Sequence, residues 1–305
     1  MLGFFLLLLT TFIWGTAFVA QKFGSDYIGP VTMTMLRNIL GGAFLAAIVL
    51  IRNARAKSAA DDAGRRSQFG FSVKAGIWCG IPLFAAMTAQ QVGIKWTMPG
   101  ISAFLTANYV IFVPVIHSII KRSVPSPYVW ICGVLSLAGT FFICMGGDAA
   151  LSCAFHIGRG EIWTLACAVL FAIQMIAVGI FAGKCDLLVM STSQLLTCGV
   201  LGLAVLCFTP ELGEFSLQAV RKSAMAVIYC GIFSSGIAYT LQNVAQARVN
   251  ASVAAIGLSF ESVFGALAGW AILGDRLTSL QIAGCATVFI AVILVQVLDS
   301  RKIRS

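Results

Sequence analysis

Glu261 is the one formally charged residue between positions 251 and 273, in a stretch of otherwise apolar or small side chains. Placing a carboxylate at the centre of such a stretch costs about 2.5 kcal/mol or more in a membrane, so these residues usually have a partner and a function. A carboxylate here can bind a proton, attract a cation or pair with a guanidinium. The alternative interpretation is a carboxyl group that only hydrogen-bonds across a helix interface.

Arg37 is the only basic residue well inside an apolar segment, in the stretch VTMTMLRNILGGAF. Three interpretations are open: its side chain extends to the external surface, pairs with Glu261, or binds the carboxylate of a ligand as a forked donor. Burial favours a protonated Glu261, whereas a neighbouring Arg37 favours the carboxylate, so proton binding at Glu261 depends on where Arg37 lies.

Several uncharged residues could complete a polar site within the same apolar segments. Asn108 and Tyr109 lie in the middle of one segment, Trp14 precedes a glycine in the first, and Tyr239 lies in a later one. Asparagine can bond a ligand carboxyl or amide, and large aromatic rings can wall a cavity; ordinary interhelical packing is the alternative for each. Ser234 and Ser235 form a polar stripe with Tyr239, and Gln174 and Gln194 are weaker candidates.

The segments that must position these residues are long apolar runs. The 305-residue chain is 59% hydrophobic and 10% charged, whereas soluble domains are about one-quarter charged. Runs of about 20 apolar residues are long enough to cross a bilayer as helices. The predicted fold is therefore an all-α integral membrane protein with ten transmembrane helices, near residues 3–22, 30–51, 70–91, 100–120, 127–146, 160–182, 188–208, 223–244, 250–273 and 279–298.

The basic residues predict the orientation of these helices. An even number of helices places both termini on one side, and that side would carry 13 basic residues against six on the other. Because cytoplasmic loops carry the excess of Lys and Arg, both termini are predicted to be cytoplasmic. The net charge of +9 therefore reflects topology, and no nucleic-acid partner is expected.

The residues needed for several other functions are absent from the sequence. It has no P-loop, no G-x-S-x-G nucleophile motif and no Cys or His spacing typical of a metal site, and its ten cysteines are scattered. With two histidines and a single mid-membrane acid, we expect neither an enzyme nor a cofactor. A ring of repeated polar residues, as in a channel, is also missing.

The ten helices divide into two similar halves. We predict a first five-helix repeat at 1–146, an external linker at 147–159, a second repeat at 160–298 and a cytoplasmic tail at 299–305. A shift of about 152 positions aligns the two halves and sets Asn108 and Tyr109 on Phe260 and Glu261. Because each repeat has an odd number of helices, the second repeat is inverted in the membrane relative to the first. Inverted repeats of this kind place a ligand site near the midplane of the bilayer. Chance similarity between apolar helices is the alternative.

Four stretches resemble the EamA family of the drug/metabolite transporter superfamily: TFIWGTAFVAQK, MTMLRNILGGAFL, FLTANYVIFVPV and LSFESVFGALAGWAILGDRLTSLQIAG. The resemblance covers nearly the whole chain. It implies an alternating-access transporter in the bacterial inner membrane that exports small metabolites such as amino acids, or drugs. An uptake permease or exchanger is the alternative. Protons are a candidate coupling ion, and helices one, two, four, six, seven, eight and nine are expected to line the cavity.

The chain departs from the family pattern at two positions. Ser262 stands where the family commonly has proline, so the ninth helix is expected to be straighter. Asp275 stands where the family commonly has glutamate, which keeps the charge.

Overall fold

A computed structural model describes residues 2–55, 62–97, 99–122, 124–145, 158–268, 270–271 and 277–304. Most of the predicted linker 147–159, and Asp275, lie outside the described residues. Within them, ten helices are long and apolar enough to cross a membrane, which confirms the predicted all-α membrane fold. They are numbered here as span 1 (Leu2–Ser25), span 2 (Pro30–Arg55), span 3 (Arg66–Trp96), span 4 (Ile101–Ile120), span 5 (Pro127–Cys144), span 6 (Arg159–Lys184), span 7 (Leu187–Leu206), span 8 (Ala224–Gln246), span 9 (Ala251–Ala268) and span 10 (Ser279–Asp299).

Local sequence explains where several of these helices begin. Proline, which has no N–H to leave unpaired, is the first residue of three helices, at Pro30, Pro99 and Pro127. The side chains of Asp186 and Asn250 cap two others by accepting backbone N–H groups. The described α-helices are Leu2–Ser25, Pro30–Arg55, Asp62–Trp96, Pro99–Ala107, Tyr109–Lys121, Pro127–Met145, Arg159–Phe181, Leu187–Leu206, Glu211–Glu214, Leu217–Lys222, Ala224–Ile228, Tyr239–Gln246, Ala251–Leu258, Glu261–Ala268 and Ser279–Arg304.

Two helices are longer than their hydrophobicity predicts. The third begins at Asp62, inside the basic connection, and the last continues to Arg304 through the predicted tail at 299–305. Polar residues at the end of a helix retain good helix propensity even where they are too polar for lipid. The apolar run therefore marks the membrane crossing, and the helix extends past it.

The two halves of the chain interleave. Span 1 packs against spans 8 and 9, while span 6 packs against spans 3 and 4. Span 2 runs along span 7, and span 5 along span 10. Each of these contacts joins a helix from the first half to one from the second, so neither half has a separate core.

Glycines allow spans 5 and 10 to approach closely. A Cβ atom added at Gly139 would lie 2.8 Å from the carbonyl oxygen of Gly284, and one at Gly284 would lie 2.6 Å from that of Gly139. Both distances are shorter than any real Cβ contact, so only glycine fits at either position. Without a hydrophobic driving force between helices in lipid, such close contacts are a main source of attraction.

Spans 4 and 9 are each interrupted near their middle. Span 4 divides at Asn108, between Pro99–Ala107 and Tyr109–Lys121. Span 9 divides between Ala251–Leu258 and Glu261–Ala268.

Span 9 is divided just before Ser262 although the proline common in the family is absent, and its straightness relative to a helix with that proline stays a prediction. The Ser262 hydroxyl donates to the carbonyl of Ser259 at 2.8 Å, and the Ser259 hydroxyl donates to that of Ile256 at 2.6 Å. Serine hydroxyls that bond the preceding turn compete with the helical ladder and bend the helix without a proline.

Span 8 contains a long π-helical segment, Tyr229–Ala238, between two α-helical ends. Such segments are rare, and they occur frequently at functional sites. Two glycines and two serines lie within this one. Span 2 approaches it closely, because a Cβ atom at Gly41 would lie 2.6 Å from the carbonyl oxygen of Gly231.

Candidate functional site

A buried cavity of about 40 Å³ lies between spans 1, 2, 3, 4, 6, 8 and 9. This volume holds a few water molecules at most. Span 3 contributes to the lining through Gln90, and span 7 contributes none of the described lining residues, contrary to the expected set of helices. Five of the six predicted site residues line this cavity, namely Trp14, Arg37, Tyr109, Tyr239 and Glu261.

Glu261 follows directly on the interruption of span 9. It is the first residue of the helix Glu261–Ala268, where the helix dipole favours a negative charge. Its side chain is 4% exposed, and its Oε1 atom accepts a hydrogen bond from the Tyr109 hydroxyl at 3.1 Å. Within the described residues, Tyr109 is its one hydrogen-bond donor.

The contact of span 1 with span 9 fixes the backbone beside this carboxyl group. A Cβ atom at Gly15 would lie 2.7 Å from the backbone nitrogen of Gly265 and 2.8 Å from the carbonyl oxygen of Glu261. Gly15 and Gly265 therefore allow spans 1 and 9 to approach closely beside Glu261. This approach brings Trp14 and Glu261 to the same cavity.

Arg37 is held in place by uncharged groups. Its Nε donates to the Ser235 hydroxyl at 3.0 Å, one terminal nitrogen to the Gln21 amide oxygen at 3.1 Å, and the other to the Ser234 hydroxyl at 2.7 Å. Its side chain is 4% exposed, so the prediction that it extends to the surface is wrong. The second of the three interpretations, pairing with Glu261, is not observed either, because Arg37 bonds to Gln21, Ser234 and Ser235. Among the described residues the one ion pair joins Arg52 and Asp186.

Both serines that bind Arg37 belong to the π-helical segment of span 8. The hydroxyls of Ser234 and Ser235 are reached by two different nitrogens of the guanidinium group. The carbonyl of Ser234 also accepts a hydrogen bond from the Trp14 indole at 3.1 Å. The Trp14 ring lies against Tyr239, with 4.8 Å between ring centroids. Trp14 and Tyr239 thus form one aromatic wall of the cavity.

Asn108 is placed differently from the other predicted site residues. Its Nδ2 atom donates to the carbonyl oxygens of Phe104 and Leu105, both at 3.1 Å. It is half-buried at the interruption of span 4 and is not among the described residues that line the cavity. Its amide therefore bonds to the backbone of the preceding helical turn.

Sequence reasoning missed four polar lining residues: Gln21, Gln90, Thr106 and Gln242. A signal for two of them was present, because Gln90 and Gln242 are 152 positions apart, the separation that also joins Tyr109 and Glu261. Glutamine inside an apolar helix is costly unless it is paired or functional. Shifting the sequence by 152 positions and searching for glutamines that align would have identified Gln90 and Gln242.

The chemistry available in the cavity is binding. An arginine and a carboxyl group, Arg37 and Glu261, line it without pairing to one another. No cluster of His, Cys, Asp and Glu that could hold a metal ion occurs among the described residues. A ligand that carries both charges would satisfy both side chains at once.

The profile of the EamA-like transporter family matches residues 1–145 and 158–297. An uncharacterized transporter of Archaeoglobus fulgidus is 26% identical, over 95% of this chain and 84% of its own length. An uncharacterized transporter of Bacillus subtilis is 25% identical, over 88% of this chain and 87% of its own length. A chloroplastic WAT1-related protein of Arabidopsis thaliana is 23% identical, over 93% of this chain and 67% of its own length. A solved crystal structure at 17% identity shares the fold, with a TM-score of 0.74 over 99% of both chains.

Proposed function

Because this chain belongs to the EamA-like transporter family, whose members are multi-pass membrane transporters of small molecules, we propose that it exports amino acids or related zwitterionic metabolites. The observation that carries the proposal is the unpaired placement of opposite charges in one buried cavity. Neutral oxygens hold Arg37, and a hydroxyl holds Glu261. A zwitterion offers its carboxylate to the guanidinium and its ammonium group to the carboxylate, which neutralises both buried charges.

Transport by alternating access is the second part of the proposal. The cavity of about 40 Å³ is too small for an amino acid, so spans must separate before substrate enters. The uncharged partners of Arg37 give way to a substrate carboxylate at modest cost, because a charge-assisted hydrogen bond is stronger than a neutral one. Aromatic side chains, Trp14 and Tyr239 among them, then pack on the substrate side chain.

Two inverted repeats, 1–146 and 160–298, are proposed as the moving units. Pairs of lining residues related by the repeat separation support this. Tyr109 and Glu261, 152 positions apart, contact one another directly, as residues beside a two-fold axis would. Gln90 and Gln242 share that separation, while the pair Gln21 and Gln174 is one position further apart. An axis through the cavity lets the same site open to either side.

We place the protein in the plasma membrane of a bacterium, with both termini in the cytoplasm. The 13 basic residues against six support this orientation. Glu261 is the proposed proton site, since it is buried and Arg37 does not bond to it. An inward proton movement would then drive export. Uptake or exchange through the same cavity is the alternative, and only the direction of the driving gradient distinguishes it.

The test is transport by purified protein in proteoliposomes, with a panel of radiolabelled L-amino acids and the matched amines that lack the carboxylate. We expect flux of at least one amino acid, little flux of its amine, and about a tenfold loss in Arg37→Gln. An Arg37→Gln protein that is folded and transports the amino acid at the wild-type rate would contradict the proposal.

The direction of transport and the role of protons need separate measurements. In cells that overproduce the protein, resistance to a toxic amino-acid analogue indicates export, and heightened sensitivity indicates uptake. In proteoliposomes, an imposed pH gradient should accelerate wild-type flux and leave Glu261→Gln unaffected. Accumulation by Glu261→Gln against the substrate gradient, driven by protons, would exclude Glu261 as the proton site.

A further inference from the structure

In the part of the chain that the structure describes, a group of buried amide side chains extends from the cavity wall, and the proposed function gives no role to most of them. We propose that this group is a second binding position for the same polar substrate, through which the substrate passes between the central cavity and the end of span 8 at Gln246. This inference rests on the proposed transport function. It deepens that function by naming a path that selects substrates able both to donate and to accept hydrogen bonds.

Five side chains of spans 6, 7 and 8 form this amide cluster. Each is between 0% and 4% exposed. They are Gln174, Gln194, Gln242, Asn243 and Gln246. Gln174 and Gln242 also line the cavity, so the amide cluster begins at the cavity wall.

Hydrogen bonds connect the members into two branches. In one, Gln242 Nε2 donates to the amide oxygen of Gln246 at 3.0 Å, and Gln246 Nε2 donates to the carbonyl of Met175 at 2.9 Å. In the other, Asn243 Nδ2 donates to Ser191 at 2.8 Å and to the amide oxygen of Gln194 at 3.0 Å. Both branches extend away from the cavity toward the ends of spans 7 and 8 that are predicted to face the cytoplasm.

Four atoms of the amide cluster are buried without a hydrogen-bond partner. Two are donors, Gln174 Nε2 and Gln194 Nε2, and two are acceptors, Gln242 Oε1 and Asn243 Oδ1. An unmade hydrogen bond in a buried site is destabilising, and an apolar side chain of similar size would avoid it. The unpaired atoms therefore match a ligand that both donates and accepts hydrogen bonds, such as an amino acid with its ammonium group, its carboxylate and their bound water.

The corresponding region of the first half is less polar. Gln90 and Gln91 precede Gln242 and Asn243 by the repeat separation of 152 positions, but Ile94 stands where the second half has Gln246. Ile94 is fully buried, and the Gln91 amide bonds back to the Gln21 carbonyl at 3.3 Å. The chain of buried amides is therefore longer in the second repeat than at the corresponding positions of the first.

The experiment is a double variant, Gln194→Leu with Asn243→Leu, which removes both partners of one bond together. Asn38→Leu is the matched control, because Asn38 is also fully buried with an unpaired amide oxygen and lies outside both cavity and amide cluster. Each protein is purified, its thermal unfolding measured, and the wild type's best L-amino acid used in equilibrium binding and in proteoliposome flux.

We expect the double variant to bind that amino acid with wild-type affinity, to transport it at least tenfold more slowly and to unfold at the same or a higher temperature. Asn38→Leu should transport at the wild-type rate. A folded double variant with wild-type flux would overturn the inference and make the amide cluster structural. If the double variant does not fold, Gln194→Met provides the same comparison. Failure of the wild type to bind any amino acid would instead reject the proposed function.

Discussion

Arg37 and Arg52 lie on the same helix, span 2, and have opposite environments. Arg52 is 43% exposed and forms a two-pronged ion pair with Asp186, with nitrogen–oxygen distances of 3.1 and 2.6 Å. Arg37 is 4% exposed and bonds only to hydroxyls and an amide oxygen. Arg52, whose charge is exposed and less costly to desolvate, thus has a carboxylate partner. Arg37, whose buried charge is more costly to desolvate, has none among the described residues.

This difference supports the proposal that Arg52 has a structural role and that Arg37 binds substrate. Asp186 caps the helix of span 7 by accepting from the backbone nitrogens of Leu188 and Val189, so its bond to Arg52 ties the ends of spans 2 and 7. A buried guanidinium without a counter-charge carries a desolvation cost that fold stability does not repay. Such a group is retained where a ligand supplies the missing charge.

The strongest test of this comparison replaces each arginine by lysine. Arg37→Lys keeps the charge and loses the fork that reaches three oxygens, so we expect amino-acid flux to fall about 10- to 100-fold. Arg52→Lys should change flux less than about twofold, because an exposed pair contributes about 1 kcal/mol or less. Proteoliposome flux measures both. Equal losses in the two variants would remove the functional distinction.

A second test concerns the helix contact that holds the partners of Arg37. Alanine at Gly41 would meet the backbone carbonyl of Gly231 at 2.6 Å, whereas alanine at the neighbouring Gly42 would meet the side chain of Leu196 at 2.7 Å. A side chain can rotate away and a backbone cannot. We expect Gly41→Ala to be destabilised by about 1–3 kcal/mol and to lose flux, with a smaller change in Gly42→Ala. Thermal unfolding in detergent that ranks Gly42→Ala as the less stable protein would contradict this.

The smallest expected effect is the acid sensitivity of the exposed pair. Burial raises the pKa of Asp186, but the hydrogen bond from Arg52 and those from the backbone of Val189 and Leu188 outweigh it and leave the pKa below its ordinary value. The carboxylate therefore stabilises the fold above its unfolded pKa of about 3.9, and this contribution is lost as the pH falls through the lower folded value.

Thermal unfolding of the wild type and Arg52→Gln between pH 7 and pH 3 checks this sign. The wild type should be slightly more stable at pH 7, by less than about 1 kcal/mol. The difference should begin to shrink below about pH 4 and continue to shrink as the pH falls through the lower folded pKa of Asp186. An undiminished difference at pH 3 would show that Arg52 stabilises the protein by other contacts.

Much of the fold was predictable because the relevant property is local. An apolar run either reaches across a bilayer of about 30 Å or does not, and this decided the ten spans. Helix interruptions were harder to predict. Proline failed as the guide for span 9, since Ser259 and Ser262 divide that helix through hydroxyl bonds to its own backbone.

The sequence by itself determined that Arg37 and Glu261 lie within apolar membrane segments and that the repeat shift sets Tyr109 on Glu261. It left open whether the Arg37 side chain is buried or reaches the surface, which the structure decided. Only the tertiary structure decided the partners. Arg37 bonds to serines almost 200 positions away, presented by a π-helical segment that no hydropathy pattern predicts. Hydropathy reports whether a residue is buried, but a hydrogen bond depends on how two helices are rotated and packed, which is a property of the whole bundle.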